Sequence, residues 1–186
     1  MPEDNVPARA GERIEALDVN ESATTRERRV SEQLISDWAE ERRQLGHALA
    51  LMTLDVSAMT GPKWAHRFII AVNPVVDDSS FLFYGSSFAA LMELPEIPDR
   101  SGGLTAQLPS RYIPVFTRGC IAATLSSSAV RMQGSVERED GRQELYRAAF
   151  IRLSLDAYRQ QHFALGAFNY RVADGRTCES ESTQAR

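Results

Sequence analysis

The sequence has few cysteines and no excess of positive charge. Its two cysteines, Cys120 and Cys178, are far apart and neither belongs to a CxxC pair. This pattern argues against a disulfide framework and against a cysteine-rich metal site. The net charge is -4, so the chain lacks the basic surface that nucleic-acid-binding proteins carry. We therefore expect no metal and no nucleic-acid partner.

Long apolar runs are also missing. The first 18 residues are polar and lack the apolar region of a signal peptide. No apolar stretch approaches the roughly 20 residues that a membrane-spanning helix needs. These absences predict a cytoplasmic protein without a membrane anchor.

The bulk composition is that of one globular domain with polar ends. The chain has 186 residues, of which 43% are hydrophobic and 25% charged. Residues 1–27 are rich in charged residues, Pro, Gly and Thr, which predicts a flexible N-terminal segment. Residues 28–173 would form the domain, and the polar residues 174–186 a flexible tail.

Helical periodicity begins just before residue 30. Val30, Leu34, Trp38 and Leu45 fall on one stripe, which predicts an amphipathic helix ending near Gly46. An isolated helix of this length is marginal in water, so its stripe must dock on something. We expect a homodimer with these four residues at the interface; docking on the chain's own sheet is the alternative.

The middle of the chain alternates between strand and helix patterns. Residues 67–76 and 80–85 are dense in β-branched and aromatic residues and predict a hairpin. A short helix at 87–94 ends before Pro95, a loop covers 95–109, and helical spacing returns at 111–127. The stretch between Gly46 and residue 59 is ambiguous; we favour a connector.

The last third predicts three antiparallel strands. Asp140-Gly141 lies between two alternating runs, 129–138 and 143–154, which is a strong hairpin signal. Tyr146, Ala148 and Phe150 would share one buried face, while Glu144 would be solvated like other carboxylates near a turn. A final strand covers 162–172.

This order of elements resembles the PAS domain family. SFLFYGSSFAALMELP is similar to the family's second strand and first helix, GSVEREDGRQELYRAAFIRLS to its later hairpin, and LGAFNYRV to its closing strand. A tryptophan-bearing helix before the first strand resembles a version common in alphaproteobacteria. The resemblance implies an α+β fold: a five-stranded antiparallel sheet with helices on one face and an N-terminal helix.

The resemblance also implies a function. Family members are sensory or protein-interaction modules in signal transduction; they frequently dimerise, and some hold a small ligand between sheet and helices. We expect a regulatory module that is not an enzyme and that acts through a separate partner protein. The candidates for lining an apolar ligand pocket are Phe68, Phe83, Phe88, Tyr112, Phe116, Tyr146, Phe150 and Phe168, although a plain hydrophobic core explains them as well.

No cofactor is expected. Cys120 lies in RGCIAAT, unlike the asparagine-cysteine-arginine context of flavin-binding relatives. The helix at 111–127 contains no histidine that could ligate haem, and His66 and His162 lie at strand starts, where side chains usually face solvent. The purified protein should therefore be colourless.

Two other functions stay open. A cone-shaped α+β enzyme related to ketosteroid isomerase would combine similar elements, but it needs an acid or base inside its cavity. The predicted inward-facing positions are apolar, which argues against it. A purely structural dimerisation domain is the other alternative.

Overall fold

The structure is a computed structural model that describes residues 13–17, 30–45, 51, 54–99, 101–155 and 162–173. Within these residues, six antiparallel strands form one sheet in the order β1-β4-β5-β6-β2-β3. The strands are β1 (Arg13–Leu17), β2 (Arg67–Val72), β3 (Ser80–Tyr84), β4 (Ala129–Glu137), β5 (Gln143–Ser154) and β6 (His162–Val172).

In the described part of the chain, four α-helices cover the sheet on both faces. They are α1 (Val30–Leu45), α2 (Ser86–Met92), α3 (Leu104–Gln107) and α4 (Ile113–Leu125). Helices α2, α3 and α4 belong to the cluster on one face, here called the inner face. Helix α1 packs on the opposite face, here called the outer face, against β5 and β6. The central strands are therefore buried on both sides.

The predicted α+β, PAS-like architecture is confirmed. The five expected strands are contiguous in the sheet, and the helices that follow the first hairpin lie together on one face. The hairpin around Asp140-Gly141 pairs Val136 with Glu144 and Glu137 with Gln143. Gly141 has a φ of 78°, the left-handed conformation that such turns require.

The segment expected to be flexible contains a strand. Residues Arg13–Leu17 form β1, which pairs antiparallel with Ala129–Gln133 of β4 and extends the sheet to six strands. The expectation of an unstructured segment is wrong at these five residues. Their backbone groups are satisfied by the edge of β4, and this pairing leaves no trace in a local composition pattern.

Two connections also contain short helices. The loop expected at 95–109 includes α3, whose Leu104 is fully buried, so one apolar side chain anchors the loop to the core. The stretch interpreted as a connector up to residue 59 includes most of a 3-10 helix at Val56–Thr60, and a second 3-10 helix at Pro62–Trp64 follows it before β2. Helix α4 begins with Pro114 in its first turn, as predicted. The tail at 174–186 lies outside the described residues.

Candidate functional site

An aromatic cluster fills the inner face between the sheet and helices α2 and α4. Phe68 on β2 lies at its centre, with its ring centroid 4.9 Å from that of Phe88 and 5.2 Å from that of Phe116. Seven of the eight candidate pocket residues belong to this cluster: Phe68, Phe88, Tyr112, Phe116, Tyr146, Phe150 and Phe168. The structure therefore brings seven of the eight candidates together in one buried cluster.

The cluster is tightly packed. A Cβ atom placed on Gly119 of α4 would lie 2.3 Å from the Phe150 ring, and one on Gly166 of β6 would lie 2.1 Å from the Phe68 ring. Such distances occur only where a ring packs directly on the backbone. An apolar ligand would have to displace rings that already contact one another.

Phe83, the eighth candidate, lies on the wrong face for a pocket residue. It packs on the outer face with its ring centroid 5.6 Å from that of Trp64. Simple alternation from Phe81 would have placed it in the inner cluster. The register between β2 and β3 shifts here, because Ile69 pairs with Phe83 and Ile70 with Phe81. The extra residue reverses the direction of the side chain, as β-bulges do.

Glu144 is not solvated, which corrects the sequence interpretation. It shares the inward direction of Tyr146 on β5 and is fully buried. Its Oε2 accepts hydrogen bonds from Arg111 Nε at 2.9 Å and from the Tyr112 hydroxyl, and its Oε1 accepts from Arg138 at 3.1 Å. The presence of two arginines and a tyrosine explains how a carboxylate is accommodated here.

This carboxylate fastens the start of α4 to the hairpin. Burial and the hydrogen bond to Glu144 raise the pKa of Tyr112 far above its usual value, so the phenol stays protonated and donates. The Arg111 guanidinium also lies 4.8 Å from the centroid of the Tyr112 ring. The donors around Glu144 already occupy both of its oxygens, so the group is built as an anchor and not as a free general base.

The remaining reactive side chains are placed differently. Cys120 is fully buried on α4, and burial raises its thiol pKa to about 12, which makes it a poor nucleophile. His66 is half-buried, contrary to expectation, and its Nδ1 has no hydrogen-bond partner among the described residues. His162 is exposed as expected.

Helix α1 docks on the outer face of the chain's own sheet. Leu34 and Trp38, two of the interface candidates, are 1% and 4% exposed, and Ile35 beside them is equally buried. The chain itself therefore buries this part of the stripe. This is the docking on the chain's own sheet that was the alternative to a dimer interface. Val30 is partly buried against the same cluster. Leu45 ends the helix, and its side chain lies outside the described residues.

Polar contacts complement this apolar docking. Asp37 of α1 accepts from the buried Arg67 of β2 and pairs with Lys63 at 3.1 Å. Burial opposes the ionisation of Asp37, but the hydrogen bonds from Arg67 and Lys63 outweigh it and lower its pKa. A second pair joins Glu32 of α1 to Arg131 of β4. Helix α1 is therefore held at a defined position.

One short segment contacts both faces of the sheet. Trp64–Arg67 enters β2 from the outer side, where Arg67 binds Asp37 and Trp64 packs on Phe83. On the inner side the carbonyl of Ala65 accepts from Phe88 N of α2 at 2.9 Å. The carbonyl of Arg67 accepts from Gly85 N at 2.9 Å. We call residues Trp64–Arg67 the crossing segment, because it links α1 to α2 directly.

Sequence reasoning missed two features of this region. Ile35 follows the predicted stripe at helical spacing from Trp38, so the same periodicity could have included it. Arg67 opens a strand, and only the three-dimensional position of α1 reveals its partner Asp37.

Among the described residues, no helix is long and apolar enough to cross a membrane. The described residues also contain no group of three or more His, Cys, Asp or Glu side chains that could hold a metal ion.

No protein-family model matches the chain, and no curated protein matches it. Among solved structures it is similar to a PAS domain of an HTR-like protein from Haloarcula marismortui, at 13% identity and a TM-score of 0.39, with 71% of this chain and 98% of that one covered. A fungal LOV domain photoreceptor matches at 16% identity and a TM-score of 0.37, with 63% and 81% covered. An RNA-binding light-oxygen-voltage receptor matches at 15% identity and a TM-score of 0.36, with 64% and 35% covered. Similarity at this level adds nothing to the fold assignment, which rests on strand and helix order.

Proposed function

We propose that this chain is a PAS-like sensory or regulatory module that performs no chemistry of its own and acts through a separate partner protein. The crossing segment is the observation that carries the proposal. It contacts the aromatic cluster through α2 and the outer helix through Arg67. A change within the cluster is thereby linked to the position of α1, where a partner protein could detect it.

The direction of this coupling follows from the contacts. Phe88 of α2 packs on Phe68 in the cluster, and its backbone N–H is bonded to Ala65. A ligand that displaced these rings would move α2 and pull on the crossing segment. Arg67 would then shift relative to Asp37, and α1 would lose part of its polar attachment. In this scheme the crossing segment connects the two sites, so a change at one site is transmitted to the other.

Hydrogen exchange of the α1 amides tests the relay. Phe88→Leu disturbs the cluster beside the crossing segment, and Val115→Ala disturbs the same cluster from α4. Compared at equal global stability, Phe88→Leu should accelerate exchange in α1 selectively, because local opening depends on local contacts. Equal protection of α1 in both variants would rule out the relay.

A small apolar ligand within the aromatic cluster is part of the proposal. Native mass spectrometry of protein purified from the cell would detect a retained molecule, and Gly119→Ala is the matched variant. Its added methyl group would crowd Phe150 and leave less room for rings to rearrange. The proposed ligand should be bound by the wild type and lost from the variant. A variant that folds and retains the ligand equally would place it elsewhere.

We also propose a homodimer, as the family resemblance implies. Leu34 and Trp38 are committed to the chain's own sheet, so a second chain would contact α1 through its remaining surface. Trp38→Ala would then loosen α1 and weaken the dimer. Sedimentation of the full-length protein and of this variant over a range of concentrations tests this. If both sediment as monomers, the homodimer is refuted and α1 serves its own chain alone.

The enzyme alternative has one observation in its favour, which is the buried pair of Glu144 and Tyr112. A catalytic carboxylate in such a fold would need to face substrate. Here Arg111 and Arg138 donate to the same carboxylate. The pair is therefore better explained as the anchor of α4 than as catalytic machinery.

A further inference from the structure

A small cleft lies on the outer side of the molecule, where three elements converge. Its cavity volume is about 50 Å³. Trp38 and Arg42 of α1 form one wall, Ile151 and Arg152 of β5 form another, and the loop Ser126–Ser128 after α4 closes the third side. A cavity holding one water needs roughly 10–15 Å³ by this measure, so there is room for an ion the size of several waters.

Two guanidinium groups line this cleft. Arg42 donates to the carbonyl of Ser127 at 3.0 Å and lies 5.4 Å from the centroid of the Trp38 ring. Arg152 donates to the carbonyl of Thr124 at 3.4 Å. Within the described part of the chain, neither arginine pairs with a carboxylate. Each contact uses one of five N–H donors, so most of the donors have no partner among the described residues.

Capping of α4 explains part of this arrangement. Cations are favourable at the C-terminal end of a helix, and Arg152 serves that purpose at the carbonyl of Thr124, whereas Arg42 binds the loop beyond the helix. One cation suffices for it, whereas here two positively charged residues from different elements line one cavity. Two guanidinium forks suit a tetrahedral anion with several acceptor oxygens.

We propose that this cleft binds a phosphate group, either as the free ion or as a phosphate monoester. Arg42 and Arg152 would donate to its oxygens from opposite walls, and the serines of the loop would supply hydroxyl donors. A bound phosphate would join α1, the end of α4 and β5, and so stabilise the docked position of α1. The proposal does not depend on the sensory role, because it rests on the cleft alone.

Titration calorimetry of the full-length protein at constant ionic strength tests the proposal. The probes are sodium phosphate and phenyl phosphate, with sodium acetate as the carboxylate comparison. Arg152→Gln and Arg42→Gln should each weaken phosphate binding about tenfold or more, because each removes a charge-assisted contact. Arg43→Gln is the matched control: this neighbouring arginine is exposed and pairs with Glu40 outside the cleft. It should leave the affinity unchanged.

Each outcome decides the question. Tighter binding of phenyl phosphate than of phosphate would identify a monoester as the preferred ligand, and the reverse would identify the free ion. No saturable binding below about 10 mM would overturn the proposal, as would equal binding of acetate. Equal losses in Arg43→Gln and Arg152→Gln would show that the anion responds to surface charge only. Arg152 is exposed, so its substitution keeps the test valid even if Arg42→Gln unfolds the protein.

Discussion

The effect of Gly119→Ala on stability should depend on the residue at position 150. We expect it to destabilise the protein that carries Phe150 and to stabilise the Phe150→Ala variant. In the native sequence the new methyl group would lie 2.3 Å and 2.4 Å from two carbons of the Phe150 ring. That ring cannot retreat freely, because its centroid lies 5.5 Å from that of Phe68 and 5.8 Å from that of Phe116. Overpacking of this kind costs about 1–3 kcal/mol. Better helix propensity returns about 1 kcal/mol, so the expected net result is a destabilisation of up to about 2 kcal/mol.

Phe150→Ala removes the obstacle. Alone it should destabilise the protein by about 3–5 kcal/mol, the usual cost of truncating a buried phenylalanine. In that background the methyl group introduced by Gly119→Ala would enter vacated space, and the helix propensity gain of about 1 kcal/mol would remain. The double variant should therefore be more stable than Phe150→Ala alone.

Urea unfolding of the four proteins measures this cycle, with fluorescence and circular dichroism as independent probes. Neighbouring core residues are expected to be non-additive. If Gly119→Ala destabilises both backgrounds by the same amount, then α4 does not pack on β5 in the way described. A cost below about 1 kcal/mol for Phe150→Ala would indicate that the two faces of β5 are reversed.

Three further predictions concern titratable side chains. Asp37→Asn should destabilise the protein by about 2–3 kcal/mol in urea unfolding at neutral pH, because Arg67 would lose its charged partner, and the difference should shrink as acid protonates Asp37. The exposed Glu40→Gln should leave the stability almost unchanged. The pKa of Tyr112 is raised in the folded protein, so its contribution to stability is complete below pH 10 and declines at higher pH. Unfolding curves measured below and above pH 10 should therefore show a smaller loss of stability for Tyr112→Phe than for the wild type. With Cys178→Ser in place, Cys120 should react with a thiol reagent at the rate of global unfolding, because burial raises its pKa to about 12; rapid labelling of the native protein would contradict this.

Local patterns were sufficient for most of the architecture. The Asp140-Gly141 turn requires a left-handed residue flanked by alternating runs, and both signals are encoded within a few positions. The stripe on α1 also follows from spacing alone. The surface on which this stripe packs could not be predicted, because the same apolar stripe fits the sheet of its own chain or a second copy of the chain. The structure places Leu34 and Trp38 against β5 and β6 of the same chain.

The missed features depend on distant partners. Glu144 lies close to the hairpin turn, where carboxylates are normally solvated, and only Arg111 and Tyr112 from another element permit its burial. Phe83 changed faces through one extra residue in β3, which the sequence of a single strand does not reveal. Strand β1 exists because the edge of β4 is available to it.

Strand β1 also affects how shortened versions of this protein should be interpreted. It covers Ala129–Gln133, the portion of β4 that would otherwise present unpaired N–H and C=O groups at the side of the sheet. A chain trimmed to begin after Leu17 would expose this backbone, which is a template for pairing with any other strand. Such a fragment would tend to self-associate edge to edge, and its dimers or aggregates would be artefacts of the trimming. Assembly measured on the PAS-like portion alone would therefore overstate the tendency of the whole protein to associate.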